Sequence, residues 1–181
     1  MIWKGIYDKR ISSDAKIVNN LKNALNVEKV FVIGRENVQP SLMFHLDQAM
    51  ILLPDKVAGV TKVVGKKPGT RQQKRDIEEV EAFLVELRAL LQKIGYRVVD
   101  IDTSVNNLLN HQHYVNAIPY VDHRTNQKTI LMPVFSGTSF EQKLENKNTA
   151  VFQLLGYRVI RVPSRTYKLN GGIHCLINVI E

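Results

Sequence analysis

Apolar residues along this chain recur at two periods, and each change of period marks a change of element. Ile77, Val80, Phe83, Leu84, Leu87, Leu90, Leu91 and Ile94 return every three or four positions and predict a helix that opens at Asp76 and stops at Gly95. Ile17, Val18, Leu21 and Leu25 predict a second over 15–25, with Ser12, Ser13 and Asp14 as N-cap oxygens. A third is expected over 140–155, capped by Gly156. Between them lie β-branched or alternating runs that predict strands: one after the polar break at Asn26, then 42–53, 96–101, 114–121 paired with 129–135, 157–162 and 176–180. Ile2, Trp3, Ile6 and Tyr7 suggest a further edge strand.

Three helix-to-strand junctions look alike. Ile94-Gly95-Tyr96-Arg97-Val98 returns as Leu155-Gly156-Tyr157-Arg158-Val159, 61 residues later, and Leu25-Asn26-Val27 is a weaker copy upstream. Self-similarity at a fixed spacing signals repeated units. The expected organisation is one domain over 1–181, built of modules at roughly 1–53, 54–118 and 119–181.

Composition narrows the picture without deciding it. With 181 residues, 44% of them apolar, the chain can bury a core. Its single cysteine excludes an internal disulfide framework and a Cys-rich zinc site, and it fits a reducing compartment. Nothing resembles a signal peptide or a membrane span, so the expected location is cytoplasmic, with no membrane partner. The net charge of +8 would suit a polyanion. The densest basic run, 66–75, lacks the interleaved aromatics on which bases stack, so it reads as a solvated loop and nucleic acid is disfavoured.

Two stretches carry candidate chemistry. Asn170-Gly171-Gly172-Ile173-His174-Cys175-Leu176 sets the cysteine behind two glycines, which leave open space for a ligand to approach. A lone cysteine is ordinarily a small buried hydrophobe. In Phe44-His45-Leu46-Asp47-Gln48, read as strand, His45 and Asp47 share one face, either lining a site or pairing with each other in the core. Cys175, His45 and Asp47 together make the inventory for nucleophilic catalysis by a thiolate, with a histidine to move protons and a carboxylate to hold a cation. His174 would point away from Cys175 in an extended chain and is set aside as the base.

Gly171-Gly172-Ile173-His174-Cys175, the His45-Leu46-Asp47 motif 130 residues earlier, Tyr114-Val115-Asn116-Ala117 and Ile130-Leu131-Met132-Pro133 resemble, in this order, the guanidino-modifying enzymes of the pentein superfamily. The resemblance implies an α/β fold of ββαβ modules arranged as a β/α-propeller, with about three of five modules in this chain. It implies Cys175 as nucleophile, His45 as general acid and base, and Asp47, Asn116 and Gly172 as substrate-binding residues, with no cofactor and no metal. The implied reaction is deimination of an arginine-like guanidino substrate through a covalent Cys thiouronium; amidino transfer, a non-catalytic RNA-binding module and an inactive fragment remain as alternatives. The family's upstream acidic motifs have no counterpart here, which implies self-association or a partner that supplies missing modules.

Overall fold

The computed structural model describes residues 2–3, 14–33, 40–66, 69–135, 137–165 and 172–176. In chain order the elements are β1 (Ile2–Trp3), α1 (Asp14–Leu25), β2 (Val32–Ile33), β3 (Met50–Leu53), β4 (Val57–Val64), α2 (Arg71–Lys93), β5 (Arg97–Ser104), α3 (Val105–Leu109), β6 (Ile118–Asp122), β7 (Gln127–Val134), α4 (Ser139–Leu154) and β8 (Arg158–Pro163). The architecture is mixed α+β. Two three-stranded sheets share one plan: β3 lies antiparallel to β4, which runs parallel to β5 after α2 crosses over, and β6, β7, α4 and β8 repeat that order. β1 and β2 pair in parallel on either side of α1.

The three similar junctions have one backbone cause. Gly95 (φ 89°), Gly156 (φ 84°) and Asn26 (φ 49°) all take the left-handed conformation that ends a helix and turns the chain back along the sheet. The helices begin for equally local reasons. The Thr70 hydroxyl accepts from the Gln73 N–H, so α2 starts at Arg71, earlier than its apolar stripe indicates. Thr138 and Glu141 cap α4 reciprocally.

α2 buries Ile77, Val80, Phe83, Leu84, Leu87 and Leu91 against Val60 and its neighbours in the first sheet. Each such side chain contributes about 1.5–3 kcal/mol against the entropy of ordering the helix. A second core gathers Ile101, Tyr114, Ile130, Met132, Phe152 and Tyr157 between the two sheets. Gly59 makes room for it, because a Cβ there would sit 2.9 Å from Ile51 Cγ2 and 3.2 Å from Ile101 Cγ1.

Polar contacts join the two ββαβ units beside this core: Lys147 pairs with Asp102, and Glu141 accepts from the Ser104 hydroxyl. Asn148 of α4 accepts from the Asp102 N–H (2.9 Å) and donates to the Asp102 carbonyl (2.8 Å), so its amide takes the place of a further strand on the edge of β5. Among the described residues no helix is long and apolar enough to cross a membrane.

Candidate active site

Three separate segments converge beside β3: the turn before it, the connection from α3 to β6, and the segment 172–176 near the C-terminus. The expected strand over 42–53 is shorter than its alternation implied. Residues Leu46–Gln48 form a single 3-10 turn, and only Met50–Leu53 is strand. The cause is local. Gln48 uses its side-chain oxygen to accept from the His45 N–H (3.1 Å), while its own N–H donates to the His45 carbonyl (3.0 Å). Side chains that bond neighbouring backbone in this way compete with sheet formation. His45 and Asp47 therefore do not share a strand face. The Gln48 carbonyl accepts from the Thr61 hydroxyl and the Ala49 carbonyl from the Thr61 N–H, which anchors the turn to β4.

The second segment is held from inside the core. Tyr114, fully buried, accepts from Asn107 (2.8 Å) and reaches Glu145 (3.5 Å), while the Asn116 N–H donates to the His113 carbonyl (3.2 Å). The expected strand from 114 begins only at Ile118, and Tyr114 to Ala117 is a turn that presents Asn116. The His111 ring stacks on Phe44, 5.3 Å between centroids, and brings this connection against the His45 turn.

The third segment corrects another expectation. Cys175 lies in a 3-10 turn, His174–Leu176, rather than at the head of a strand; the rest of the expected strand, 177–180, and Asn170 and Gly171 fall outside the described residues. In that turn His174 does not point away. Its Nδ1 lies 3.2 Å from Asp47 Oδ2, and the Cys175 thiol donates to the same oxygen at 3.2 Å. The Asn116 carbonyl oxygen accepts from the His174 N–H at 2.8 Å, and its amide nitrogen lies 3.6 Å from Cys175 Sγ and 3.5 Å from the Asp47 carbonyl.

Four of the five expected site residues thus meet: Cys175, Asp47, Asn116 and Gly172. The fifth, His45, heads the turn with its ring edge-on to Phe44. It is exposed, and among the described residues no hydrogen bond links it to Cys175. Its charge still bears on the Asp47 carboxyl. His174 enters the site unanticipated, since only the turn geometry reveals it. His113 is a second such residue; burial, with His111 nearby, pushes its imidazole down to about 3 against the pull of Asp47, so it is neutral.

Electrostatics sort the reacting groups. Burial works against an ionised Asp47, but the bonds from His174 and Cys175 and the charge of the two neighbouring histidines outweigh it and hold the carboxyl below its ordinary value. The bond to Asp47 raises His174, with burial opposing. Burial pushes the Cys175 thiol up and the Asp47 carboxylate adds to that, while the Gly172 N–H and the Asn116 amide pull the other way. Asp47 Oδ1 is buried and has no hydrogen-bond partner among the described residues. Beside it lies an open cavity of about 320 Å³, walled by Met50, Ile51, Val115, Ala117 and Pro119 and ending on Asp47 and His174. The arrangement offers a carboxylate with one unpaired oxygen, a thiol within 3.2 Å of its other oxygen, and an apolar cavity against Asp47 and His174. Among the described residues no three His, Cys, Asp or Glu side chains group as metal ligands.

Solved structures of known proteins resemble this fold. The chain resembles a Porphyromonas gingivalis protein assigned as an arginine deiminase (19% identity, TM-score 0.64, covering 91% of this chain and 46% of that one). It also resembles C. jejuni agmatine deiminase (13%, TM-score 0.53, 97% and 50%) and a protein assigned as a peptidyl-arginine deiminase (16%, TM-score 0.51, 90% and 47%). The chain spans about half the length of each. No curated protein sequence matches it. The family described as Porphyromonas-type peptidyl-arginine deiminase matches over residues 9–178, nearly the whole chain. By that match the chain belongs to the Porphyromonas-type peptidyl-arginine deiminase family, within the pentein superfamily.

Proposed function

We propose that this chain carries the nucleophile half of a guanidine deiminase site, with Cys175 attacking and Asp47 holding the substrate. The reading rests on one observation above others, the 3.2 Å approach of Cys175 Sγ to Asp47 Oδ2. A carboxylate that close disfavours a thiolate when the site is empty. A planar guanidinium bound to Asp47 through paired charge-assisted hydrogen bonds reverses that field and sets its electrophilic carbon beside the sulfur.

Binding of the cation releases the Cys175 thiol proton to solvent; the thiolate forms a C–S bond to the guanidinium carbon, and the C–N bond to one terminal nitrogen breaks as protonated His45 supplies the proton that lets it leave as ammonia. A Cys thiouronium remains. His45 then takes a proton from water, whose oxygen attacks the same carbon; the C–S bond breaks, the thiolate returns, and a ureido product departs. His174, held by Asp47, fixes the orientation of the carboxylate.

The apolar walls suit an aliphatic guanidine such as arginine or agmatine. Because the chain spans about half the length of the like structures, the remaining acidic groups and modules of a five-module propeller would come from further sequence, a partner or a second copy. The reaction needs no cofactor. Incubating the chain with arginine, agmatine and a peptidyl-arginine, alone and joined to the remaining modules, and assaying ureido product tests the reading. Product that vanishes in Cys175→Ser is expected. Absence of product from the joined protein would refute deimination, and product that requires an added amine acceptor would mean amidino transfer.

A further inference from the structure

Among the described residues, the Asn116 side chain touches both of the other segments of the site. Its carbonyl oxygen accepts from the His174 N–H at 2.8 Å, and its amide nitrogen faces both Cys175 Sγ, at 3.6 Å, and the Asp47 carbonyl, at 3.5 Å. It is 1% exposed, so these protein partners occupy most of its bonding capacity and little is left for a substrate. Gly172 completes the arrangement. A Cβ built there would fall inside the Asn116 carboxamide, so the two residues interlock, and only glycine admits the amide.

The geometry points to Asn116 as a positioning residue that aims the Cys175 sulfur and stabilises its thiolate, and to Gly172 as the socket that lets the amide reach it. The amide presents an N–H to the sulfur, and donors to the charged form favour it. Sulfur's larger radius makes 3.6 Å an ordinary contact distance for such a donor. The charged groups that share the sulfur's surroundings are the Asp47 carboxylate, which opposes ionisation, and His174 and His45, which act on Asp47; His113, buried and neutral, lies near the same carboxylate. Asn116 and the Gly172 N–H are the neutral donors set against that carboxylate. The role is distinct from the substrate contact that sequence resemblance implies for both residues. It rests on Cys175 as the reacting thiol but not on turnover.

The test is the pH dependence of Cys175 alkylation by iodoacetamide, an uncharged probe that reports thiolate without needing substrate. Asn116→Asp keeps an oxygen for the His174 N–H and the same shape, while replacing the donor with a carboxylate. Its alkylation midpoint should rise by about one pH unit, the scale of one hydrogen bond to a charged group. Gly172→Ala, which expels the amide, should raise the midpoint by about half as much, since the backbone donor stays. The carboxylate of Asn116→Asp adds its own repulsion, so a merely structural Asn116 is recognised in Gly172→Ala, which withdraws the donor without adding charge and would then change the alkylation rate without moving the midpoint. An Asn116→Asp midpoint equal to or below that of the native chain, with circular dichroism unchanged, overturns the proposal. Should that variant fail to fold, the same reading of Gly172→Ala decides it. Unmoved midpoints with ureido product intact would sink this role and leave the deiminase reading standing; shifted midpoints with no product from the joined protein would do the reverse.

Discussion

Replacing Asp47 by Asn separates the two jobs given to that carboxylate. In the empty site it holds the Cys175 thiol protonated; in the loaded site it holds the cation. A full negative charge about 4 Å from a thiolate repels it by about 4 kcal/mol at an effective dielectric of about 20. The sulfur is exposed and solvent screens most of that. About 1–1.5 kcal/mol remains, which with the lost thiol-to-carboxylate bond corresponds to a fall of about one pH unit in the thiol midpoint. Asp47→Asn should therefore react faster with iodoacetamide at neutral pH, by severalfold, while losing ureido formation almost entirely. Alkylation rates followed across the neutral and alkaline range, with product assayed on the same preparations, provide the readout. A midpoint that stays in place or moves up would show that the 3.2 Å contact does not govern the sulfur, and the electrostatic part of the account would fail.

Other perturbations probe the frame and the loop. Asn148→Ala leaves the N–H and C=O of Asp102 without their side-chain partner at the edge of β5, and should cost about 2–4 kcal/mol in urea unfolding; a loss below about 0.5 kcal/mol would mean that water replaces the amide. Phe152→Ala, in the core between the sheets, should cost about 3–5 kcal/mol by the same measurement. The Asp47–His174 pair should stabilise the fold within a window of pH. Asp47 is lowered, so its contribution is present above about pH 4 and disappears as acid titrates through the lowered value; His174 is raised, so its contribution is present below about pH 6.5 and disappears as pH rises through the raised value. With His174 half exposed the effect stays under about 1 kcal/mol. The difference in urea midpoint between the native chain and His174→Gln should peak near pH 5–6; a difference constant with pH would contradict the pairing.

What the sequence made legible was the part dictated by local chemistry. The apolar stripe of α2, the left-handed caps at Gly95 and Gly156 and the repeated junctions all follow from side-chain spacing and backbone sterics, and they reappear as two sheets of one plan. Residue types pointed to Cys175, His45 and Asp47, and the family resemblance added Asn116 and Gly172; all but His45 lie together in the structure. The errors share a cause. Phe44-His45-Leu46-Asp47-Gln48 alternates like a strand, yet Gln48 satisfies the His45 backbone and folds the stretch into a turn. An extended chain would turn His174 away from Cys175, and the turn at 174–176 is not extended. Neither the interlock of Gly172 with Asn116 nor the Asn148 clasp has a local signature, because each joins residues more than 40 positions apart.

The central claim is that Asp47 delivers a guanidinium-like cation to Cys175, and labelling with matched electrophiles tests it most directly. Chloroacetamidine carries the planar cation, and chloroacetamide is its neutral counterpart; mass spectrometry of the intact chain and its peptides measures the rate for each at Cys175. The account predicts that the amidine modifies Cys175 faster than the amide by more than their ratio on a small-molecule thiol, and that Asp47→Asn removes the excess. Equal relative rates in the native chain and in Asp47→Asn would contradict it.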